Sequence, residues 1–251
     1  MIFCGVSDVG KIRKDNEDSY YIKAYDDNHM LAIVADGMGG HIGGKQASVL
    51  AVESIAGYFD SNISKIVGYT PRKIKQVLLD CVKEANKSVY NFSGENPELF
   101  GMGTTIVVCY ISDNKVYAVS AGDSRLYIIN DSIKQITRDH SLINELLEMG
   151  MISPGQAKNH PKRNIITKAV GSEVSIEPDI YMEKIDIDDT ILLCTDGLTN
   201  MIDNEKITEI VKSDTNLSTC ANSLVEEAKK NGGNDNITVI IIRQDKGGEA
   251  Q

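Results

Sequence analysis

Two apolar runs in this chain end alike. Leu31-Ala32-Ile33-Val34-Ala35 leads into Asp36-Gly37-Met38, and Ile191-Leu192-Leu193-Cys194-Thr195 leads into Asp196-Gly197-Leu198. A buried strand that delivers a carboxylate to its end, followed by glycine, is one way to build a metal or phosphate site. Asp-Gly is also the standard turn dipeptide, so a single copy reads as readily as a turn. After Asp36, however, the chain continues Gly-Met-Gly-Gly-His-Ile-Gly-Gly instead of returning as a strand, and a glycine run lets backbone approach a ligand closely. Further carboxylates stand in Gly232-Gly233-Asn234-Asp235-Asn236, in Ala121-Gly122-Asp123-Ser124-Arg125 and in Arg13-Lys14-Asp15-Asn16-Glu17-Asp18. Taken singly, each could be a turn or a solvated charge run.

Taken together they share one chemistry. The candidate ligands are Asp18, Asp36, Asp123, Asp196, Asp235 and the Gly37 carbonyl, all oxygen donors. The histidines His29, His41, His140 and His160 form no HxxxH, and no CxxC occurs. Oxygen-only sites suit Mg²⁺, Mn²⁺ or Ca²⁺ rather than zinc. There is no EF-hand loop, no GxxxxGK[ST] and no GxSxG. Carboxylates with an arginine point to metal-assisted attack of water on a phosphate.

The elements that must position these residues are legible as alternating short apolar runs and amphipathic stretches. Ile74, Val77, Leu78, Cys81, Val82, Ala85 and Val89 form one helical stripe, with Thr70 as N-cap and Pro71 at the first position. Leu217, Cys220, Ala221, Leu224, Val225 and Ala228 repeat the pattern, stopped by Gly232. A third helix is expected over about 45–58, and short ones near 141–149 and 204–211. Strands are expected at 18–22, 31–35, 104–111, 115–120, 125–130, 190–194 and 237–243. Ser112-Asp113-Asn114 and Gly122-Asp123-Ser124 read as hairpin turns. Strand blocks separated by long helices favour an α+β fold with antiparallel sheets.

With 251 residues, no low-complexity linker and no solenoid repeat, one domain over 1–243 with a frayed tail at 244–251 is expected. Apolar residues at 41% and charged residues at 25% exclude a disordered or fibrous chain. Thirty-six acids against 26 bases leave a net charge of −10, which disfavours nucleic acid and anionic lipid and favours divalent cations. No apolar run is long enough for a membrane span and no secretion signal is visible, so a cytoplasmic location is expected. Five scattered cysteines read as reduced, mostly core-filling thiols, with a hidden zinc site as the alternative.

Six motifs then fall in order: Ser7-Asp8-Val9-Gly10 with Arg13 and Asn16-Glu17-Asp18; Asp36-Gly37-Met38-Gly39-Gly40-His41; Gly101-Met102-Gly103-Thr104-Thr105; Gly122-Asp123-Ser124-Arg125; Thr195-Asp196-Gly197-Leu198; and Asp235-Asn236-Ile237-Thr238. The set resembles the metal-dependent serine/threonine phosphatases of type 2C in their compact bacterial form, over nearly the whole chain. The resemblance implies a four-layer αββα sandwich, two antiparallel β-sheets flanked by helices, with metals in a cleft at one end. It implies two Mn²⁺ or Mg²⁺ ions bridged by Asp36, with the Gly37 carbonyl on the second and Asp196 and Asp235 completing the first. Asp18 and Glu17 would hold waters, Arg13 the substrate phosphate, and Asp123 with Asp196 a third, weaker metal site. His41 is assigned as general acid, although eukaryotic relatives carry their histidine where Met38 stands.

A flap is expected at about 145–166, with Lys158, Lys162 and Arg163 facing the substrate. Water would hydrolyse phosphoserine and phosphothreonine in proteins, reversing a serine/threonine kinase, and the protein would act as a monomer on phosphorylated partners. The alternatives are a phosphatase dedicated to one regulatory protein of the anti-sigma-antagonist type, and a catalytically silent interaction module.

Overall fold

The computed structural model describes residues 1–39, 43–158, 160–213 and 215–244. The strands are β1 (Ile2–Asp8), β2 (Ser19–Ala24), β3 (His29–Ala35), β4 (Gly37–Met38), β5 (Gly103–Thr104), β6 (Ile106–Ser112), β7 (Lys115–Ala121), β8 (Arg125–Ile129), β9 (Ile133–Gln135), β10 (Asp179–Lys184), β11 (Thr190–Cys194) and β12 (Ile237–Arg243). The helices are α1 (Gly43–Ile66), α2 (Pro71–Glu95), α3 (Leu142–Glu148), α4 (Pro154–Lys158), α5 (Asp196–Thr199), α6 (Asn204–Ser213) and α7 (Leu217–Lys230). One sheet has the order β1-β12-β11-β8-β9 and the other β10-β7-β6-β3-β2; β4 and β5 form a small ribbon. All these pairings are antiparallel.

Side-chain alternation explains the layers. In β3, Met30, Ala32 and Val34 face the opposite sheet, while Leu31, Ile33 and Ala35 face α1 and α2. In β11, Ile191 and Leu193 face between the sheets, and Leu192 and Cys194 face α5, α6 and α7. A strand covered on both faces is apolar throughout, which is why these runs show no polar alternation. The result is the expected four-layer αββα sandwich with three apolar layers. The α2 stripe is buried as read, and Thr70 caps it by accepting from Lys73 N. Burial pushes the Cys109 and Cys194 thiols up to about 12, so they are inert fillers.

Several expectations are corrected. The Gly122-Asp123-Ser124 turn is not a hairpin: it carries the chain from β7 in one sheet to β8 in the other. The strand expected at 104–111 breaks at Thr105, whose N–H donates to Asp36 O instead of continuing a ladder. The third helix starts at Gly43 and runs to Ile66, because the glycine pair opens the helix instead of belonging to a loop. β1, β4, β9 and β10 are additional to the expected strands; β1 runs unbroken through Gly5, whose type weakens the strand pattern, and β10 is a polar edge strand. Ser112-Asp113-Asn114 does form the hairpin, with Asp113 and Asn114 at φ 49° and 58° as a two-residue primed turn requires. The tail expected at 244–251 lies outside the described residues beyond Gln244.

The layer between the sheets is the structural base of everything at their ends. Leu193 is fully buried there, and Leu193→Ala should cost ~2–5 kcal/mol. Urea unfolding should show a lower midpoint with an unchanged slope.

Candidate metal centre

Five separate connections bring their aspartates to one end of the two sheets. Asp18 immediately precedes β2, Asp36 follows β3, Asp123 follows β7, Asp196 opens α5 after β11, and Asp235 precedes β12. A cleft of about 470 Å³ is lined by Arg13, Glu17, Asp36, Gly37, Asp196 and Asp235. A second compartment of about 580 Å³ is lined by Asp123 and Asp139, and shares Arg163, Asp196, Asn200 and Met201 with the first. Asp18 lies beneath, only 2% exposed.

The electrostatics are those of like charges withdrawn from water. Burial, then the charges of Asp18, Asp196, Asp123 and Asp235, push Asp36 well above the usual carboxylate range. Burial, followed by Asp235, raises Asp196. Burial is also the main cause that takes Asp18 and Asp123 up to about 7. Asp18 Oδ1, Asp123 Oδ1 and Asp196 Oδ1 are buried without a hydrogen-bond partner. Unsatisfied, mutually repelling, oxygen-only donors are what divalent cations reconcile, so the residues fit Mg²⁺ or Mn²⁺. Among the described residues, no group of three or more His, Cys, Asp or Glu side chains is placed to hold one metal ion in common. That is compatible with Mg²⁺-type binding, in which one or two carboxylates and several waters complete each ion.

Neutral side chains hold the carboxylates in place. Asp18 Oδ2 accepts from Thr195 Oγ1 at 2.9 Å and Thr238 Oγ1 at 2.6 Å. Asp36 N donates to Thr105 Oγ1 at 2.9 Å, and Thr104 Oγ1 donates to Asp36 O at 2.8 Å. Asn200 Nδ2 donates to Asp196 Oδ2 at 2.9 Å. Asn236 is the clamp of the first loop: its Oδ1 accepts from Glu17 N at 2.8 Å and its Nδ2 donates to Val9 O and Asp15 O, both at 3.0 Å. The sequence reading gave Asn236, Thr195 and Thr238 no role, although polar residues beside or within apolar strands were the available signal.

The glycines of the two Asp-Gly steps are required by the protein's own packing, and Gly37 also lines the cleft. A Cβ on Gly37 would stand 2.1 Å from Gly44 O in α1, and one on Gly197 would stand 1.9 Å from Asn236 O. Each aspartate is thus anchored by a backbone contact that only glycine allows.

Arg13 reaches the cleft, but its guanidinium donates to Asp235 Oδ2 at 2.7 Å. Both side chains are partly exposed, and such pairs are weak. Glu17 is buried, and its Oε2 lies beside Gly44 at the start of α1. The segment expected as a flap is pinched at its base by Leu142 N donating to Ile165 O and Thr167 N donating to His140 O, both at 2.9 Å. The excursion therefore starts slightly earlier than 145. Arg163 lines both compartments and Lys162 is exposed. His41 and the Lys158 side chain lie outside the described residues.

A family model described as Protein phosphatase 2C matches residues 12–230. The chain belongs to this family. A serine/threonine phosphatase, stp, of Listeria monocytogenes is 39% identical over 95% of this chain and 94% of its own. The protein phosphatase PhpP of Streptococcus pneumoniae is 37% identical over 94% of this chain and 95% of its own. Among solved structures, the serine/threonine phosphatase Stp1 from Staphylococcus aureus superposes with a TM-score of 0.90 at 33% identity, covering 96% of this chain and 94% of that one. The Mycobacterium tuberculosis serine/threonine phosphatase PstP/Ppp gives a TM-score of 0.86, also at 33%, covering 96% and 97%. Both the family and the αββα architecture expected from the motifs hold for this phosphatase 2C chain.

The Asn236 clamp gives a test of the scaffold. Asn236→Ala removes its three hydrogen bonds and should cost about 2–4 kcal/mol of stability in urea. Calorimetric Mn²⁺ affinity should fall at least about tenfold with the far-ultraviolet circular dichroism unchanged. Wild-type affinity would show that the clamp does not set the centre.

Proposed function

We propose that this phosphatase 2C protein hydrolyses phosphoserine and phosphothreonine in proteins with Mg²⁺ or Mn²⁺ as cofactor, reversing a serine/threonine kinase. The observation that carries this reading is the convergence of five aspartates, of which Asp18, Asp36, Asp123 and Asp196 are raised by burial and by one another's charge. The names of the relatives, serine/threonine phosphatases and protein phosphatases, support it.

Divalent cations bound here supply Lewis-acid activation of water near neutral pH and neutralise phosphate charge. Asp36, Asp196, Asp235 and the Gly37 carbonyl would hold the primary pair of ions, and Asp123 with Asp196 a third, weaker one. Glu17 and Asp18 would accept hydrogen bonds from waters there. Arg13 orients the phosphate, whose paired oxygens offer the guanidinium a bidentate, charge-assisted partner in place of Asp235. The seryl or threonyl oxygen leaves with a proton, and His41 is assigned as its donor. Lys162 and Arg163, with Lys158, meet the protein substrate from the flap. The protein acts as a cytoplasmic monomer; no helix among the described residues is long and apolar enough to cross a membrane.

Asp36→Asn should leave a folded chain with less than about a tenth of wild-type turnover at saturating Mn²⁺, a loss above ~1.4 kcal/mol, because an amide has one acceptor oxygen and no charge. Higher residual turnover would remove Asp36 from the bridging role. His41→Ala should slow phosphoserine-peptide hydrolysis by about 10²-fold or more and p-nitrophenyl phosphate much less, since that phenolate leaves without a proton. Equal slowing of the two substrates would instead make His41 a support of the turn.

A further inference from the structure

The flap base and the Asp123 turn meet at one residue. His140 is 3% exposed. Its N–H donates to Gly122 O at 2.9 Å, and its carbonyl accepts from Thr167 N at 2.9 Å on the returning limb of the flap. Its Nδ1 accepts from Gly122 N at 3.2 Å. Its Nε2 lies 3.2 Å from Asp179 Oδ2 on β10, and Lys168 Nζ donates to the other oxygen of Asp179 at 2.9 Å. Burial and then the Lys168 ammonium hold His140 below its ordinary range. Nδ1 is also 3.2 Å from Gly122 O, so the ring faces both polar groups of that peptide, while Nε2 approaches Asp179 without a hydrogen bond.

The neighbours of His140 extend the joint in both directions. Asp139 accepts the Arg125 guanidinium through Nε at 2.9 Å and Nη2 at 2.6 Å, which fixes the start of β8. Ser141 bridges Ile166 and caps α3. On the other side, Gly122 packs against Thr105, which in turn holds the Asp36 backbone. A core histidine has no need to face Gly122 with both its peptide N–H and its ring, while also receiving the flap through its carbonyl.

We propose that His140 is a positioning residue whose ring and peptide group fasten the flap base to the Asp123 turn, so that flap and third-site carboxylate keep one fixed relation. The proposal rests on the reading of Asp123 as a cation ligand. The full chain serves for the test, by Mn²⁺ calorimetry and amide hydrogen exchange. Wild type should show a weak Mn²⁺ site that Asp123→Ala lacks. His140→Ala should weaken that site at least about tenfold and leave tight binding within about twofold. Amides of 142–165 should exchange at least about tenfold faster. His140→Asn, whose side chain can meet the Gly122 N–H but not Asp179, should recover most of both losses.

A histidine that only fills the core would lower Tm while weak-site affinity and flap exchange stay at wild-type values, and that result overturns the proposal. If wild type itself shows no weak site, the reading of Asp123 fails, and flap exchange alone decides: unchanged protection in His140→Ala overturns the coupling. Should His140→Ala not fold, His140→Leu, which fills the core space but cannot meet the Gly122 N–H, carries the same comparison. Wild-type behaviour there is equally fatal.

Discussion

Like charges held together out of water set the terms for this fold. Asp18, Asp36, Asp123, Asp196 and Asp235 repel one another, and burial makes the ionised forms of the first four dearer still. Long free loops would let them spread apart into solvent. Here each stands within a residue or two of a strand or helix end, and those strands are locked by three apolar layers. The sandwich is the rigid frame that keeps the repulsion available for cations to relieve.

The buried carboxylates Asp18 and Asp36 are held by side chains that carry no charge, while the Lys45 ammonium reaches only the Asp18 carbonyl. Two threonine hydroxyls on Asp18, two threonines on Asp36 and the Asn236 amide on the first loop add direction without neutralising the site. A lysine or arginine in those positions would have satisfied the carboxylates and removed their need for metal. Of the two arginines that line the cleft, Arg13 sits on its exposed side and pairs with Asp235 where water screens the contact. Arg125, beside Asp123, is committed to Asp139 by two hydrogen bonds at its start-of-strand position.

Much of this was legible in the sequence because chemistry and backbone demand leave local marks. Apolar runs ending in Asp-Gly, a capped amphipathic stripe from Thr70 to Val89, and an Asp-Asn hairpin turn all declare themselves within a few residues. What escaped depends on partners far away in the chain. Asn236 is a clamp only because Val9, Asp15 and Glu17 lie beside it across more than two hundred positions. Gly122 looks like a hairpin turn until the two strands around it prove to lie in different sheets. The glycine after Asp36 is demanded by its neighbour in space, since a Cβ there would meet the backbone of α1. Period and propensity describe a segment; they do not say which other backbone will press against it.

One consequence follows from where β12 lies. It pairs with β1 on one side and β11 on the other, and it carries Asp235, Asn236 and Thr238 into the centre. β1 therefore finds its neighbour only across more than two hundred intervening positions. Until β12 docks, the loop holding Arg13, Glu17 and Asp18 lacks the Asn236 amide that it folds against. A chain clipped before β12 would lose that clamp and Asp235 together, so one cut would loosen the loop and scatter the gathered carboxylates at once.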